Sequence, residues 1–234
     1  MVSDGSSIPS GAEDLNDNGT IDFGNVPITP QPFTGEFAAT GGGRLAVTLS
    51  TFAGGTNFAA YPSSGGLLMQ EIDSGAGSGV TSGVALAQTN GASIAASQGY
   101  GMNLTGVDLV GGLELDQIAE FKTTSTNMTG LIDSNDGGGL NTSNLNGNYT
   151  AGSDGLGAAT FNSTTPAGIF FYSVDNSSAL VLSTDSTAVE LGVFEVQTTP
   201  TQSALERPRA LPMLGAVLRP HSAAARAKVG FVRK

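Results

Sequence analysis

A stretch of 42 residues occurs twice in this chain without a gap, and this repeat constrains the fold more than any other feature. Residues 33–74 align with residues 145–186 at a shift of 112 positions, and nine of the 42 positions are identical. Apolar positions coincide as well, since Phe37 aligns with Tyr149. A repeat of this length indicates two related domains rather than a stack of short units.

Composition and alternation predict an all-β protein. Charged residues make up 12% of the 234 positions and apolar residues 39%, and there are 34 glycines. Short runs with period two, such as residues 45–49 and 119–123, are separated by glycine-rich turns, which is typical of antiparallel strands. We therefore predict an antiparallel meander, either a barrel or a sandwich, built from two related halves.

The chain divides into five segments. A flexible lead-in covers residues 1–10, a first β repeat 11–88, a linker 89–98, a second β repeat 99–197, and a disordered basic tail with prolines 198–234. The first repeat lacks a counterpart of the opening strands in the second. We expect the halves to fuse into one sheet, a neighbouring chain to lend strands, or the first half to stay incomplete.

Charge and apolar patterning exclude several classes of function. Residues 1–197 contain two basic and 19 acidic residues, a net charge of −17, whereas the tail is basic. Such an acidic body repels phosphate, which argues against a nucleic-acid partner. With no apolar run of about 18 residues, we predict no membrane span. The chain has no cysteine, and we expect no secretory signal because its first residues lack a basic and an apolar region.

One turn-rich segment resembles a calcium-binding loop. Such a loop needs oxygen ligands at positions 1, 3, 5, 7 and 9 and glycine at position 6. These positions are filled by Asp14, Asn16, Asn18, the Thr20 carbonyl and Asp22, with Gly19 at the sixth. Position 12 is Asn25, an amide where a bidentate carboxylate is needed. Calcium is therefore a candidate cofactor, and a hairpin turn rich in Asn and Asp explains the same residues.

The sequence offers little for catalysis. The single histidine, His221, lies in the tail, which excludes a catalytic Ser-His-Asp set in the body. A carboxylate pair for glycoside hydrolysis would have to come from Glu114, Asp116 and Glu120. Aromatic residues at strand positions predict core packing rather than a sugar or lipid pocket, and they are Phe58, Tyr61, Phe170, Phe171 and Tyr172.

Four short motifs carry a resemblance to a known kind of repeat. They are residues 100–106 (YGMNLTG), 131–138 (LIDSNDGG), 145–150 (LNGNYT) and 155–160 (GLGAAT). Together they resemble an uncharacterised repeat domain of large exported bacterial surface proteins, which often lies beside immunoglobulin-like modules. The resemblance implies an extracellular or cell-surface location, and it implies no catalytic residues.

These observations predict a non-enzymatic structural or adhesive module of a secreted or surface protein. The alternative is a lipocalin-like carrier that holds a small apolar ligand inside the barrel, and a glycoside hydrolase comes third. An interior filled with side chains would favour the structural role, and a void of several hundred Å³ would favour the carrier. Self-association through sheet edges, or a glycan or protein ligand, is expected of such a module.

Overall fold

The computed structural model describes residues 5–21, 30–51, 54–74, 81–152, 154–162 and 166–198. All regular structure in these ranges is β-strand, and it forms a closed barrel, a curled open sheet and a short hairpin. The predicted all-β class and antiparallel barrel are confirmed. The predicted tail lies outside the described residues apart from Thr198.

Sixteen strands occur in the described residues. In chain order they are β1 (Ser7–Glu13), β2 (Asn16–Asp17), β3 (Thr20–Ile21), β4 (Gln31–Gly41), β5 (Arg44–Thr51), β6 (Gly54–Ser63), β7 (Gly66–Glu71), β8 (Ser82–Ala85), β9 (Gly99–Asp108), β10 (Leu113–Thr123), β11 (Asn127–Asp136), β12 (Gly139–Ala151), β13 (Leu156–Phe161), β14 (Gly168–Ser173), β15 (Ser178–Ser183) and β16 (Ala188–Val196).

Strands β9 to β16 form the closed barrel. Each pairs antiparallel with the next along the chain, and β16 returns to pair with β9. An eight-stranded barrel is just wide enough for side chains to fill it. The inward residues of each strand do so, and the buried cluster includes Tyr100, Met102, Leu104, Phe121, Met128, Ile132, Leu145, Ile169, Phe171 and Phe194.

The open sheet has six strands in the order β1-β4-β5-β6-β7-β8, so that β1 and β8 are its terminal strands. Its buried core is small and consists of Val47, Phe58 and Ala60. The other apolar residues packed on this core are only partly buried, and they are Phe37, Leu45, Leu49, Leu67 and Met69. The sheet and the barrel are separate, so the prediction that the two halves fuse into one sheet is wrong.

The strand order and register of the open sheet match those of β11 to β16. The pair Ile8–Gly35 between β1 and β4 corresponds to the pair Met128–Gly147 between β11 and β12. Likewise, Phe37–Val47 corresponds to Tyr149–Ala159. The repeat alignment slips by one residue in β6, because Val47 pairs with Phe58 whereas Ala159 pairs with Ile169.

The sequence patterns did not predict strands β1 and β11. Strand β1 also corrects the prediction of a flexible lead-in over residues 1–10. Residues 7–10 belong to β1, which the backbone pairing with β4 stabilises although Pro9 and the polar residues around it show no alternation. Strand β11 is rich in Asn and Asp, which favour turns. It forms because it pairs with β10 on one side and β12 on the other.

Residues 89–98, predicted as a linker, close one end of the barrel. Ile94 lies in the barrel core. The backbone N–H of Ala95 donates to the Tyr100 hydroxyl (2.9 Å), and the Ala95 carbonyl accepts a hydrogen bond from the Thr123 hydroxyl (2.6 Å). The barrel core is therefore sealed from water at this end.

Among the described residues, no helix has the length and apolar character to cross a membrane.

Candidate functional site

The segment that resembles a calcium loop forms a tight hairpin. Asp17 pairs with Thr20, and the two residues between them, Asn18 and Gly19, have φ angles of 53° and 83°. An Asn-Gly pair with positive φ at both positions is the sequence preferred in a two-residue type I′ turn. The hairpin alternative therefore describes the backbone of this segment.

The side chains of this hairpin bind the barrel. The amide nitrogen of Asn16 donates to the backbone carbonyls of Ser183 (3.0 Å), Asp185 (3.2 Å) and Ala188 (2.9 Å). The Asn16 side-chain oxygen accepts from the N–H of Gly19 (2.9 Å). Buried polar groups that are fully hydrogen-bonded in this way hold two elements in one arrangement. Asn16 therefore fastens the hairpin to the β15–β16 turn.

Of the other predicted calcium ligands, Asp14, Asn18 and Thr20 belong to the described residues. The Tyr172 hydroxyl donates to the Asp14 carboxylate. Asn18 and Thr20 are exposed in the turn, and Asp22 lies outside the described residues. In the described part of the chain, no three His, Cys, Asp or Glu side chains come together as a metal site. Calcium binding stays a prediction.

The end of the barrel under this hairpin, near the β15–β16 and β9–β10 turns, has a polar interior, and we call it the polar end. Glu190 faces inward from β16 and is fully buried. Within the described residues, neither carboxylate oxygen accepts a hydrogen bond of normal geometry. Burial, and then the negative charge of Asp185, raises the pKa of Glu190 to about 7, although the nearby Ser183 hydroxyl lowers it slightly.

Gln117 lies in the same polar end, two strands away on β10. Its side chain is only 2% exposed, and neither amide atom has a hydrogen-bond partner among the described residues. It lines a cavity of about 360 Å³ that opens at this end of the barrel. The other polar residues of the cavity wall are Asp108, Ser134, Asp136, Asn141 and Thr187.

This arrangement can hold a proton or a small polar group. Asp185, the acidic residue with the largest effect on Glu190, has a carboxylate that accepts from the N–H (2.9 Å) and the hydroxyl (2.8 Å) of Thr187. These bonds shape the β15–β16 turn.

The carboxylates that the sequence offered for glycoside hydrolysis lie elsewhere. Glu114, Asp116 and Glu120 alternate with the buried residues of β10 and therefore lie on the outer surface of the barrel. Asp116 accepts a hydrogen bond from the Thr105 hydroxyl (2.6 Å). Neither Glu114 nor Asp116 lines the cavity at the polar end. These residues therefore lie on the opposite face of the barrel wall from Glu190, although the negative charge of Asp116 still contributes to raising the pKa of Glu190.

A shallow groove of about 470 Å³ crosses the outer surface of β16, β9, β10 and β11. It lies over Gly101, which has no side chain to fill the space between Glu195 and Glu120 on the neighbouring strands. Ile118 forms part of its wall and is 60% exposed. The groove therefore places exposed apolar side chains next to carboxylates.

The aromatic candidates have different environments. Phe171 is buried in the barrel and packs against Tyr149 and Phe194. Phe58 belongs to the core of the open sheet. Phe170 and Tyr172 are partly buried and alternate with Phe171, so they lie on the outer side of β14, and Tyr61 is largely exposed. These residues do not form a shared ligand pocket.

The two functional candidates that the sequence patterns missed, Glu190 and Gln117, could have been found from alternation. Glu190 has the same parity on β16 as Phe194, and Gln117 has the same parity on β10 as Ala119 and Phe121. Both are polar residues on an apolar face, which is the pattern of a functional or structurally specialised position.

Comparisons with models of known protein families, with curated proteins and with solved structures found no match to this chain.

Proposed function

We propose that this chain is a non-enzymatic structural or adhesive module of an exported surface protein. The filled interior of the barrel carries the proposal. Phe194 packs against Tyr100, Phe121 and Phe171 with ring centroids 5.2 to 5.6 Å apart. Aromatic side chains that pack against one another in the interior stabilise the barrel and fill this part of it.

The filled aromatic core leaves the outer surface of the barrel for apolar contacts with a partner. The outer groove over Gly101 combines exposed apolar residues with the carboxylates of Glu120, Asp133 and Glu195. Such a surface suits a partner that brings apolar contacts together with hydroxyl groups or positive charge. This supports the adhesive form of the proposal.

The two alternatives fit the geometry less well. A carrier of apolar ligands needs a mostly apolar chamber. The cavity at the polar end has a mixed wall, in which Leu115, Leu140 and Ala188 lie beside Gln117, Ser134, Thr187 and three aspartate or asparagine residues. A glycoside hydrolase needs two carboxyls facing one groove roughly 5–10 Å apart. Glu190 is enclosed in the barrel, and the carboxylates of β10 lie on its outer surface.

The experiment is a thermal-shift screen of the purified chain against long-chain fatty acids and other apolar ligands, together with chromogenic glycosides. A ligand that binds the folded state raises the melting temperature according to its concentration relative to Kd. We expect no shift with apolar ligands and no hydrolysis above the buffer rate.

A matched variant makes the negative result informative. Phe194→Ala removes a ring from the centre of the barrel and leaves an apolar cavity, and such cavities bind small apolar molecules. We expect benzene to stabilise Phe194→Ala and to leave the unmodified chain unchanged. A saturable shift of the unmodified chain by a fatty acid would instead identify a carrier, and glycoside turnover would identify an enzyme.

A further inference from the structure

The open sheet corresponds to six of the eight barrel strands. Its strand order, β1-β4-β5-β6-β7-β8, matches β11 to β16, and the paired residues correspond from one end to the other. In the barrel, the remaining two strands β9 and β10 lie between β16 and β11 and pair with both. The equivalent position in the open sheet lies between β8 and β1.

Strands β9 and β10 cover the inner face of the barrel. They contribute Tyr100, Met102 and Phe121, all buried. The open sheet has apolar residues on its corresponding face, but Phe37 and Met69 are only partly buried, whereas their barrel counterparts Tyr149 and Val181 are buried. Two further strands between β8 and β1 would bury this face in the same way.

Backbone N–H and C=O groups of β8 point toward the place between β8 and β1 where two further strands would lie. The N–H of Glu71 on β7 donates to the carbonyl of Thr81 (2.7 Å), which makes these residues a hydrogen-bonded pair. Because the backbone groups of successive residues point to opposite sides of a strand, Gly83 faces β7 and Val84 faces away from it. The barrel counterpart of Val84 is Val193, which lies opposite Asn103 of β9. Within the described residues, no strand pairs with this side of β8.

The two terminal strands differ in how well they resist a further strand. Proteins protect sheet edges with charged residues, proline or bulges. Strand β1 contains Pro9 and an irregularity of register between Ile8 and Gly11. Strand β8 (SGVA) has no charge and no proline. On its outer side, Val84 continues a row of exposed apolar residues with Leu68 and Tyr61, which are 51%, 54% and 48% exposed.

We propose that a β-hairpin from another polypeptide adds to β8, covers the partly buried face of the open sheet and closes the sheet toward β1. This inference rests on the proposed structural role and names its partner: two antiparallel strands with an apolar residue at every second position, as in β9 and β10. Strand addition of this kind gains affinity from backbone hydrogen bonds and specificity from alternate side chains.

A second copy of this chain is a poorer donor than a separate hairpin. Its own β9 and β10 already pair on both sides and supply the aromatic core of its barrel. Lending them would open that barrel and expose Tyr100 and Phe121. The occupant is therefore a hairpin that is not already part of a closed barrel.

The test uses the full chain and a fluorescently labelled synthetic peptide of residues 99–123, which contains β9, the turn and β10. We expect saturable binding with a 1:1 ratio and slower hydrogen exchange of the Val84 amide in the complex. The same peptide carrying M102S and F121S keeps its length and charge but loses two inward apolar residues, and it should bind at least about tenfold more weakly, which is about 1.4 kcal/mol.

Two variants of the chain separate the backbone contact from the side chain. Val84→Pro removes the N–H that faces the added strand and leaves the β7 pairing of Gly83 intact, so peptide binding should fall at least about tenfold. Val84→Thr keeps the N–H and should bind within about twofold of the unmodified chain. The thermal unfolding curve of each variant shows whether the sheet is intact.

Two results would overturn the inference. The first is absence of saturable peptide binding to the unmodified, folded chain. The second is a concentration-dependent dimer of the full chain that Val84→Pro abolishes, because the occupant would then be a second copy. Neither result changes the outcome of the apolar-ligand and glycoside screen, so this inference can fail while the structural role stands.

Discussion

The barrel and the open sheet of this chain share a strand order and a register but differ in closure. In the barrel, β9 and β10 join β16 to β11, and the inward side chains have neighbours on every side. In the open sheet, the corresponding strands β8 and β1 are the two ends within the described residues. As a result, the same kind of apolar face is buried in one region and half-buried in the other.

This difference shows that the inward alternation of a strand does not by itself bury a core. Phe37 and Tyr149 occupy equivalent positions in their strands, and each lies on the inner side. Tyr149 is buried in the barrel core, where it packs against Phe171 of β14 and its hydroxyl donates to the carbonyl of Thr124 (2.7 Å). Closure therefore contributes contacts that are distant in sequence, and four pairs of substitutions test this comparison.

The largest difference is expected for core phenylalanines. Phe194→Ala should cost about 3–5 kcal/mol of unfolding free energy, because three aromatic neighbours lose a partner in an interior that cannot collapse. Phe58→Ala in the open sheet should cost roughly 2 kcal/mol, since its neighbours are partly exposed and can rearrange. Urea unfolding, with hydrogen exchange to assign each transition, measures both values. Equal losses would mean that the sheet core is as well enclosed as the barrel.

The second comparison places proline at equivalent backbone positions. Val193→Pro should cost about 3 kcal/mol or more, because it removes an N–H directed at β9 inside a closed ladder. Val84→Pro should change the stability of the purified chain by less than about 1 kcal/mol, since no described strand lies on that side of β8. Thermal unfolding curves of the two variants provide the measurement. A large loss with Val84→Pro would show that this edge is already paired.

The third pair of substitutions tests the buried carboxyl of Glu190 in the barrel. Glu190 has its pKa raised from 4.5 to about 7, so the folded state holds the proton more tightly than the unfolded chain. Its destabilising effect is absent below pH 4.5, grows as pH rises to 7, and reaches about 3 kcal/mol above it. Glu190→Gln should therefore stabilise the barrel at pH 8 and have little effect at pH 4.

The control for this substitution is Glu195→Gln, an exposed position on the same strand. It should leave the pH dependence of unfolding unchanged. The free energy of unfolding is measured by urea denaturation at pH 4, 6 and 8. A constant difference between Glu190→Gln and the unmodified chain across this range would show that Glu190 does not titrate with a raised pKa.

The smallest expected effect concerns the hairpin that rests on the barrel. Asn16→Ala removes three hydrogen bonds to the carbonyls of Ser183, Asp185 and Ala188, and should cost about 1–3 kcal/mol. Thr20→Ala, at an exposed position of the same hairpin, should cost less than about 0.5 kcal/mol. Melting temperatures and hydrogen exchange of the β15–β16 turn are the measurements. Equal effects of the two variants would contradict the fastening role of Asn16.

Local patterns predicted most of the barrel but not all of it. Alternation of apolar residues identified β10, β13 and β15 because their inward positions, apart from Gln117 on β10, are apolar or small. Strands β1 and β11 were not predicted because many of their residues favour turns. The extended form of β1 depends on pairing with β4, and that of β11 on pairing with β10 and β12. Tertiary pairing with strands that are already in place therefore outweighs the local propensity of these residues.

The candidate site was less predictable than the fold. The sequence directed attention to Glu114, Asp116 and Glu120, which lie on the outer surface of β10. Glu190 was identifiable only as a residue of the wrong polarity for its side of β16. Its raised pKa depends on enclosure by the barrel and on Asp185, and the Asp185 carboxylate is held in place by the β15–β16 turn. These are properties of residues brought together across the barrel.

What the sequence determined by itself is the local part of the structure. Alternating residues select strands, and an Asn-Gly pair selects the type I′ turn at residues 18–19, because both depend on neighbours along the chain. Tertiary structure alone decided that β16 closes on β9 while β8 ends its sheet, and that Asn16 binds the barrel. Strand closure and the Asn16 contact both depend on partners that lie 80 to 170 residues away along the sequence and supply hydrogen bonds and apolar contacts. A local sequence pattern does not specify such distant partners.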